Sequence, residues 1–105
     1  PRLYNLGFRK PIYCSHATKD LLEIMLLDSA RLQEEDARYA NESRYSNHDP
    51  ALPLYTTEDA VGCLKLVQTI DWNTWTPLTQ YLSLRFVRIG HILGAASAQV
   101  SYSDG

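Results

Sequence analysis

One histidine has neighbours that would suit a chemical role. His91 follows a run of alternating polar and apolar residues and stands between Gly90 and Gly94. Glycines on both sides allow a sharp backbone turn. Metal-binding histidines are often held on strand ends of this kind, with the second ring nitrogen fixed by another group. A structural histidine is also compatible with the pattern, so the local spacing leaves both interpretations open.

The other candidate groups favour structural roles. His16 precedes a helix and is interpreted as a cap or surface residue, while His48 in a polar loop is predicted to be solvated. The acidic run 34–36 points to different sides of a helix, which favours a solvated face. Gly90 and Gly94 lack the following lysine of a phosphate-binding loop. No serine has the sequence context of a hydrolase nucleophile.

The composition is that of an ordinary globular protein. The chain has 105 residues, a formal net charge of −2, 45% apolar and 21% charged residues. These values exclude a disordered segment and a basic arm that binds nucleic acid by bulk charge, and no apolar run reaches membrane-spanning length. Cys14 and Cys63 form no CxxC pair and are predicted to be buried thiols in a reducing compartment. No basic stripe accompanies the aromatic residues, so core packing is predicted for Trp72, Trp75, Tyr81 and Phe86.

The first predicted elements are a buried strand and a long helix. The strand covers residues 11–14, and the helix begins after Ser15 or Thr18 and runs to about Arg44. Its first turns are apolar on most sides, which predicts burial on more than one face. Its second half is polar and is expected to project outward, towards solvent or another part of the protein. Residues 41–53 carry turn chemistry and are predicted to be a loop.

The later elements predict a second helix followed by strands. Thr56 or Thr57 would cap the helix, because acidic residues follow in its first turn. Residues 81–87 and 96–102 alternate cleanly as strands do, and residues 67–72 suggest another strand. The chain is therefore predicted to be an α/β protein with the order β-α-α-β-β, extended by one strand if residues 67–72 form it.

Three ordered segments carry a resemblance to a known family. They are FRKPIYCSHATKDLLEIMLLDSARLQEEDARYAN, PALPLYTTEDAVGCL and GHILGAAS. Together they resemble the metallo-β-lactamase superfamily, specifically its RNA-processing β-CASP branch, in which the last segment is similar to the third-histidine motif. The first segment resembles the stretch that follows the family's HxHxDH motif. The likeness covers nearly the whole chain and implies part of an αββα sandwich over residues 1–105.

The resemblance implies a zinc-dependent ribonuclease. In that family two zinc ions share a bridging water and clamp the scissile phosphate, and His91 would be a ligand of one zinc. The HxHxDH motif and the family's bridging aspartate do not occur in the chain. Asp104 lies in a turn-like Ser-Asp-Gly run and is not expected to be a ligand. The chain is expected to be a fragment of the domain between these motifs, neither holding zinc nor acting alone.

Two other functions stay open. A non-catalytic interaction module is suggested by the polar half of the long helix, and a metallo-β-lactamase-fold hydrolase could act on small esters or thioesters instead of RNA. For the whole protein we expect RNA as the partner, no membrane, and a cytoplasmic location. Apolar residues of the strand 81–87 are expected to pack in a larger sandwich, so the isolated chain would expose them and self-associate into a homo-oligomer: Leu82, Leu84 and Phe86.

Overall fold

The computed structural model describes residues 1–43 and 51–104, and these form helices and strands in a mixed order. The elements are α1 (Arg2–Asn5), β1 (Ile12–Cys14), α2 (His16–Ser43), α3 (Thr57–Leu64), β2 (Val67–Thr69), β3 (Thr76–Pro77), β4 (Leu82–Arg88) and β5 (Ala96–Tyr102). The prediction of an α/β chain is confirmed. Elements as short as α1 and β3 show no periodicity, so the sequence pattern does not predict them. His48 lies outside the described residues.

The chain divides into two compact units. Unit 1 comprises Pro1–Pro11 and Leu22–Leu66, and unit 2 comprises Ile12–Leu21 and the described residues from Val67 onward. The long helix α2 contributes its first turns to unit 2 and the remainder to unit 1. No helix within the described ranges is long and apolar enough to cross a bilayer.

In unit 1, side chains of α2 bind the backbone of the segment that leads into α3. Glu34 accepts hydrogen bonds from the backbone N–H and the hydroxyl of Thr57, both at 3.0 Å, and Gln33 accepts one from Leu54 N at 3.1 Å. The predicted solvated face is therefore wrong for Glu34, which is half-buried. Sequence spacing does not reveal this role, because the partner lies 23 residues further along the chain.

The buried residues of α2 are small, and they are not the large apolar residues that its sequence favours. Ala30 and Ala40 in the polar half are buried, whereas Ile24 and Met25 in the apolar half are 71% and 62% exposed. The polar half therefore reaches another part of unit 1, which is one of the two expected alternatives, whereas the early turns are not buried on several faces. Small alanine side chains allow other segments of the protein to approach the helix closely. A prediction based on the spacing of large apolar residues does not identify such positions.

The helix α3 begins as predicted. Thr56 is its N-cap, with a hydroxyl that accepts from Asp59 N at 3.2 Å, while the carboxylate of Asp59 accepts from Thr56 N at 3.1 Å. This capping box satisfies two donors at the helix start. Gly62 packs closely against the ring of Tyr4, which leaves no space for a Cβ atom.

Unit 2 contains two small sheets. Strands β1 and β2 pair in parallel, and β3, β4 and β5 form an antiparallel sheet in that order. The alternation of both long strands is confirmed, because the ladder places Leu84 opposite Val100 and Phe86 opposite Ala98. The predicted strand at 67–72 ends earlier, at Thr69. The arrangement of sheets as an αββα sandwich stays a prediction.

The core of unit 2 gathers around Ile70, Leu84 and Phe86, with Tyr13 and Trp72 packed against them. The predicted core packing is therefore confirmed for Trp72 and Phe86. It is wrong for Trp75 and Tyr81, which are exposed. Trp75 instead makes a cation–π contact with Arg85, whose guanidinium carbon lies 4.6 Å from the ring centroid. This contact stabilises both side chains at the surface.

The exposed apolar surface of unit 2 differs from the expected one. Leu84 and Phe86 are buried, so these two residues do not form the exposed face that the strand pattern predicts. Exposure falls on the neighbouring strand β5 instead, where Val100 and Tyr102 are 62% and 68% exposed. Strand β5 lies at one edge of its sheet, and among its residues Ala96 packs against the core cluster.

The two cysteines behave as predicted from their spacing. Cys14 and Cys63 are free thiols, and each is buried. Burial raises the pKa of the Cys14 thiol above its ordinary value, and the nearby charge of Lys19 opposes that shift. A raised pKa keeps the thiol protonated and unreactive at neutral pH.

Candidate functional site

His91 lies on the loop that joins β4 to β5. Gly90 and Gly94, on either side of it, have φ angles of +63° and +89°. These values lie in the left-handed region that glycine adopts without steric cost, so the predicted sharp turn is confirmed. A backbone hydrogen bond of 3.0 Å from Ala95 N to Ile92 O closes the loop. The side chain of His91 is exposed and therefore available to a ligand.

The loop is fastened to the start of α2 through one carbonyl group. Gly94 O lies 2.7 Å from Ser15 Oγ and 3.2 Å from Thr18 Oγ1, and both hydroxyls can donate to it. Ser15 is 3% exposed and also caps α2, accepting from Thr18 N at 3.3 Å. The prediction that Ser15 or Thr18 begins the helix is confirmed. Their contact with a residue almost 80 positions away is a feature that the sequence does not indicate.

Gly94 is the tightest point of this junction. A Cβ atom there would lie 2.8 Å from Thr18 Oγ1, 3.0 Å from Thr18 N and 3.1 Å from Ser15 Oγ. By contrast, a Cβ atom on Gly90 would meet nothing within 4 Å. The two glycines therefore have different roles: Gly90 provides the turn, and Gly94 provides both a turn and a close approach to α2.

An apolar cleft of about 210 Å³ lies beside the loop, and Gly90 and Gly94 take part in its wall. Arg88 is the one charged side chain among the described residues that line it, and its guanidinium carbon is 5.1 Å from the ring centroid of Trp72. The exposed side chains of Ile92 and Leu93 complete the apolar wall. This cleft offers a cation and an apolar surface next to the histidine loop.

The remaining titratable candidates do not assemble around His91. His16 is exposed at the start of α2, as predicted, and its Nε2 lies 2.9 Å from Asp71 Oδ1. Asp104 is exposed just after β5. Within residues 1–43 and 51–104, no three histidine, cysteine, aspartate or glutamate side chains converge so as to hold a metal ion.

The zinc that the family resemblance implies can be tested against these donors. The exposed imidazole of His91, on a loop with a constrained backbone, suits one position in a zinc coordination sphere. A zinc site needs about four donors, and the part of the chain that the structure describes supplies this one.

Comparison with known proteins identifies the relatives. No family model matches the chain. It is 26% identical over 105 residues to transcription termination factor FttA of Methanococcus maripaludis, covering 100% of this chain and 14% of that protein. It is 29% identical over 99 residues to endoribonuclease ysh1 of Aspergillus fumigatus, covering 94% and 10%. It is 32% identical over 98 residues to cleavage and polyadenylation specificity factor subunit 3-II of Arabidopsis thaliana, covering 93% and 14%.

These relatives share one class, the metallo-β-lactamase proteins, and the mixed α/β elements of this chain agree with that class. Within the class, the chain is homologous over 91–100% of its length to RNA-processing proteins of the β-CASP family. It spans 10–14% of the length of the three relatives described above. The resemblance inferred from the segments around His91 is therefore confirmed at the level of the family.

Proposed function

We propose that the chain is one segment of a zinc-dependent ribonuclease domain and that His91 is a ligand of one zinc ion in that domain. The observation that carries the proposal is the exposed imidazole between two glycines of positive φ, within the segment GHILGAAS. An endoribonuclease among the relatives supports RNA as the substrate class. Residues 1–105 would form part of an αββα sandwich together with segments outside this sequence.

In the complete site, His91 would bind metal through one neutral ring nitrogen, and the chain's backbone would hold that ring in place. A bound zinc pair lowers the pKa of a water molecule and stabilises the charge on a phosphate. The remaining ligands would come from segments outside this sequence. The 105-residue chain alone is therefore proposed to be inactive.

The other candidate functions have less support. The interaction module was suggested by the polar half of α2. In the structure, Gln33 and Glu34 of that half accept hydrogen bonds from the backbone of another segment of unit 1, so these side chains already have partners. A hydrolase of small esters has no counterpart among the named relatives described above, whereas an endoribonuclease is one of them. We also propose a cytoplasmic location, supported by the two buried free thiols, and self-association through the exposed face of β5.

Replacement of His91 in the full-length protein tests the proposal. The His91→Ala variant should lose bound zinc, measured by metal analysis of the purified protein, and should cleave labelled RNA about 100-fold more slowly or worse. His16→Ala is the matched control, because His16 is an exposed histidine of the same unit that pairs with Asp71 instead. Parent-like zinc content and turnover in His91→Ala would refute the proposed function.

A further inference from the structure

We propose that Ser15 and Thr18 are positioning residues for His91, because their hydroxyls hold the carbonyl of Gly94. The inference rests on the proposed function, in which His91 is a metal ligand. Gly94 lies three residues after His91 and is the point at which the loop meets the start of α2. No other described hydrogen bond joins this loop to a distant part of the chain.

The two hydroxyls share two protons among three contacts, because Ser15 Oγ and Thr18 Oγ1 lie 2.9 Å apart and both face Gly94 O. Capping of α2 uses Ser15 Oγ only as an acceptor, from Thr18 N at 3.3 Å, so the hydroxyl proton of Ser15 remains available to Gly94 O at 2.7 Å. Thr18 Oγ1 lies 2.9 Å from the capping hydroxyl of Ser15 and 3.2 Å from the same carbonyl. Whichever hydroxyl donates to Gly94 O, the pair makes a contact that capping of α2 does not require.

The geometry of the loop transmits this restraint to His91. The carbonyl of Gly94 is held by α2, and the next residue, Ala95, donates through its N–H to Ile92 O at 3.0 Å. Both bonds therefore constrain the four residues that follow Gly90. A histidine that binds metal needs its ring held within a fraction of an ångström of the binding geometry. Replacing a group that orients such a ligand typically lowers metal affinity 10–100-fold.

The cleanest perturbation is Thr18→Val in the full-length protein. Valine has nearly the shape of threonine, and this change removes Thr18 Oγ1 together with its 2.9 Å contact to Ser15 Oγ, while the cap bond from the backbone N–H of residue 18 to Ser15 Oγ stays in place. We expect zinc affinity, measured by competition with a chelator, to fall about 10-fold. Thr18→Ser retains the hydroxyl and should restore affinity to within about 2-fold of the parent. Ser29→Ala is the control, because Ser29 is a half-buried, hydrogen-bonded hydroxyl of the same helix that contacts Tyr55 instead.

A second measurement separates the loop restraint from metal binding. In the zinc-free protein, amide hydrogen exchange at Ala95 should be about 10-fold faster in Thr18→Val than in the parent or in Thr18→Ser. If valine does not pack at this position, the pair Thr18→Ala and Thr18→Ser tests the same hydroxyl, and equal zinc affinities in that pair would overturn the inference.

The possible results lead to different conclusions. Faster exchange together with weaker zinc binding in Thr18→Val supports the positioning role. Faster exchange with unchanged zinc affinity overturns it, since the hydroxyl would then restrain the loop without placing a ligand. Unchanged amide exchange at Ala95 in Thr18→Val also overturns the positioning role, since the hydroxyl would then not restrain the loop. Failure of the proposed function is recognised separately, because zinc would then remain bound in His91→Ala whatever residue occupies position 18.

Discussion

Replacement of Gly94 by alanine should be the most damaging single change in the histidine loop. The φ angle of +89° would cost a residue with a Cβ atom about 1–2 kcal/mol. The new Cβ would also lie 2.8 Å from Thr18 Oγ1 and 3.0 Å from Thr18 N. Because the backbone nitrogen cannot rotate away, this overpacking should add about 1–3 kcal/mol. We expect Gly94→Ala to lower the free energy of unfolding by about 2–5 kcal/mol in total.

Gly90→Ala is the matched control for that measurement. Its φ angle is +63°, and an added Cβ would meet nothing within 4 Å. It should therefore cost only the backbone term, about 1–2 kcal/mol. Urea unfolding of both variants, followed by circular dichroism, gives the two values under one set of conditions. The reasoning is refuted if Gly94→Ala is no more destabilising than Gly90→Ala.

Two further predictions concern unit 1. Glu34→Ala should lower the free energy of unfolding by about 1.5–3 kcal/mol, because it removes both bonds to Thr57. Glu35 is the exposed neighbour, and Glu35→Ala should cost under about 0.5 kcal/mol in the same urea titration. Equal losses in the two variants would contradict a stabilising role for the bonds from Thr57 to Glu34. The hydrogen bond from Thr56 N lowers the pKa of Asp59. The ionised carboxylate therefore stabilises the folded protein above about pH 4, and this contribution is lost as the pH falls through the lowered pKa. The difference in melting temperature between the parent and Asp59→Asn should therefore shrink towards low pH, and a pH-independent difference would show that this carboxylate does not contribute.

Local patterns in the sequence predict the elements well where a short stretch carries the whole cause. Thr56 and Asp59 form a capping box from residues three positions apart, so the start of α3 can be predicted without any tertiary information. The two strands β4 and β5 follow in the same way from alternation, whereas the residues that pair between them are known only from the structure. The burial of α2 could not be predicted, because Ala30 and Ala40 are buried by chain that is distant in sequence.

The sequence by itself determined the family, the position of the turn around His91 and the state of the two cysteines. Each of these depends on residue types and their order along the chain, such as the glycines that allow positive φ, and not on which residues meet in space. The tertiary structure alone decided what holds that turn. Ser15 and Thr18 read as ordinary helix-capping residues, and only folding brings their hydroxyls to the carbonyl of Gly94. The physical reason is that a hydrogen bond depends on distance in space, and 76 or more residues separate its partners along the chain.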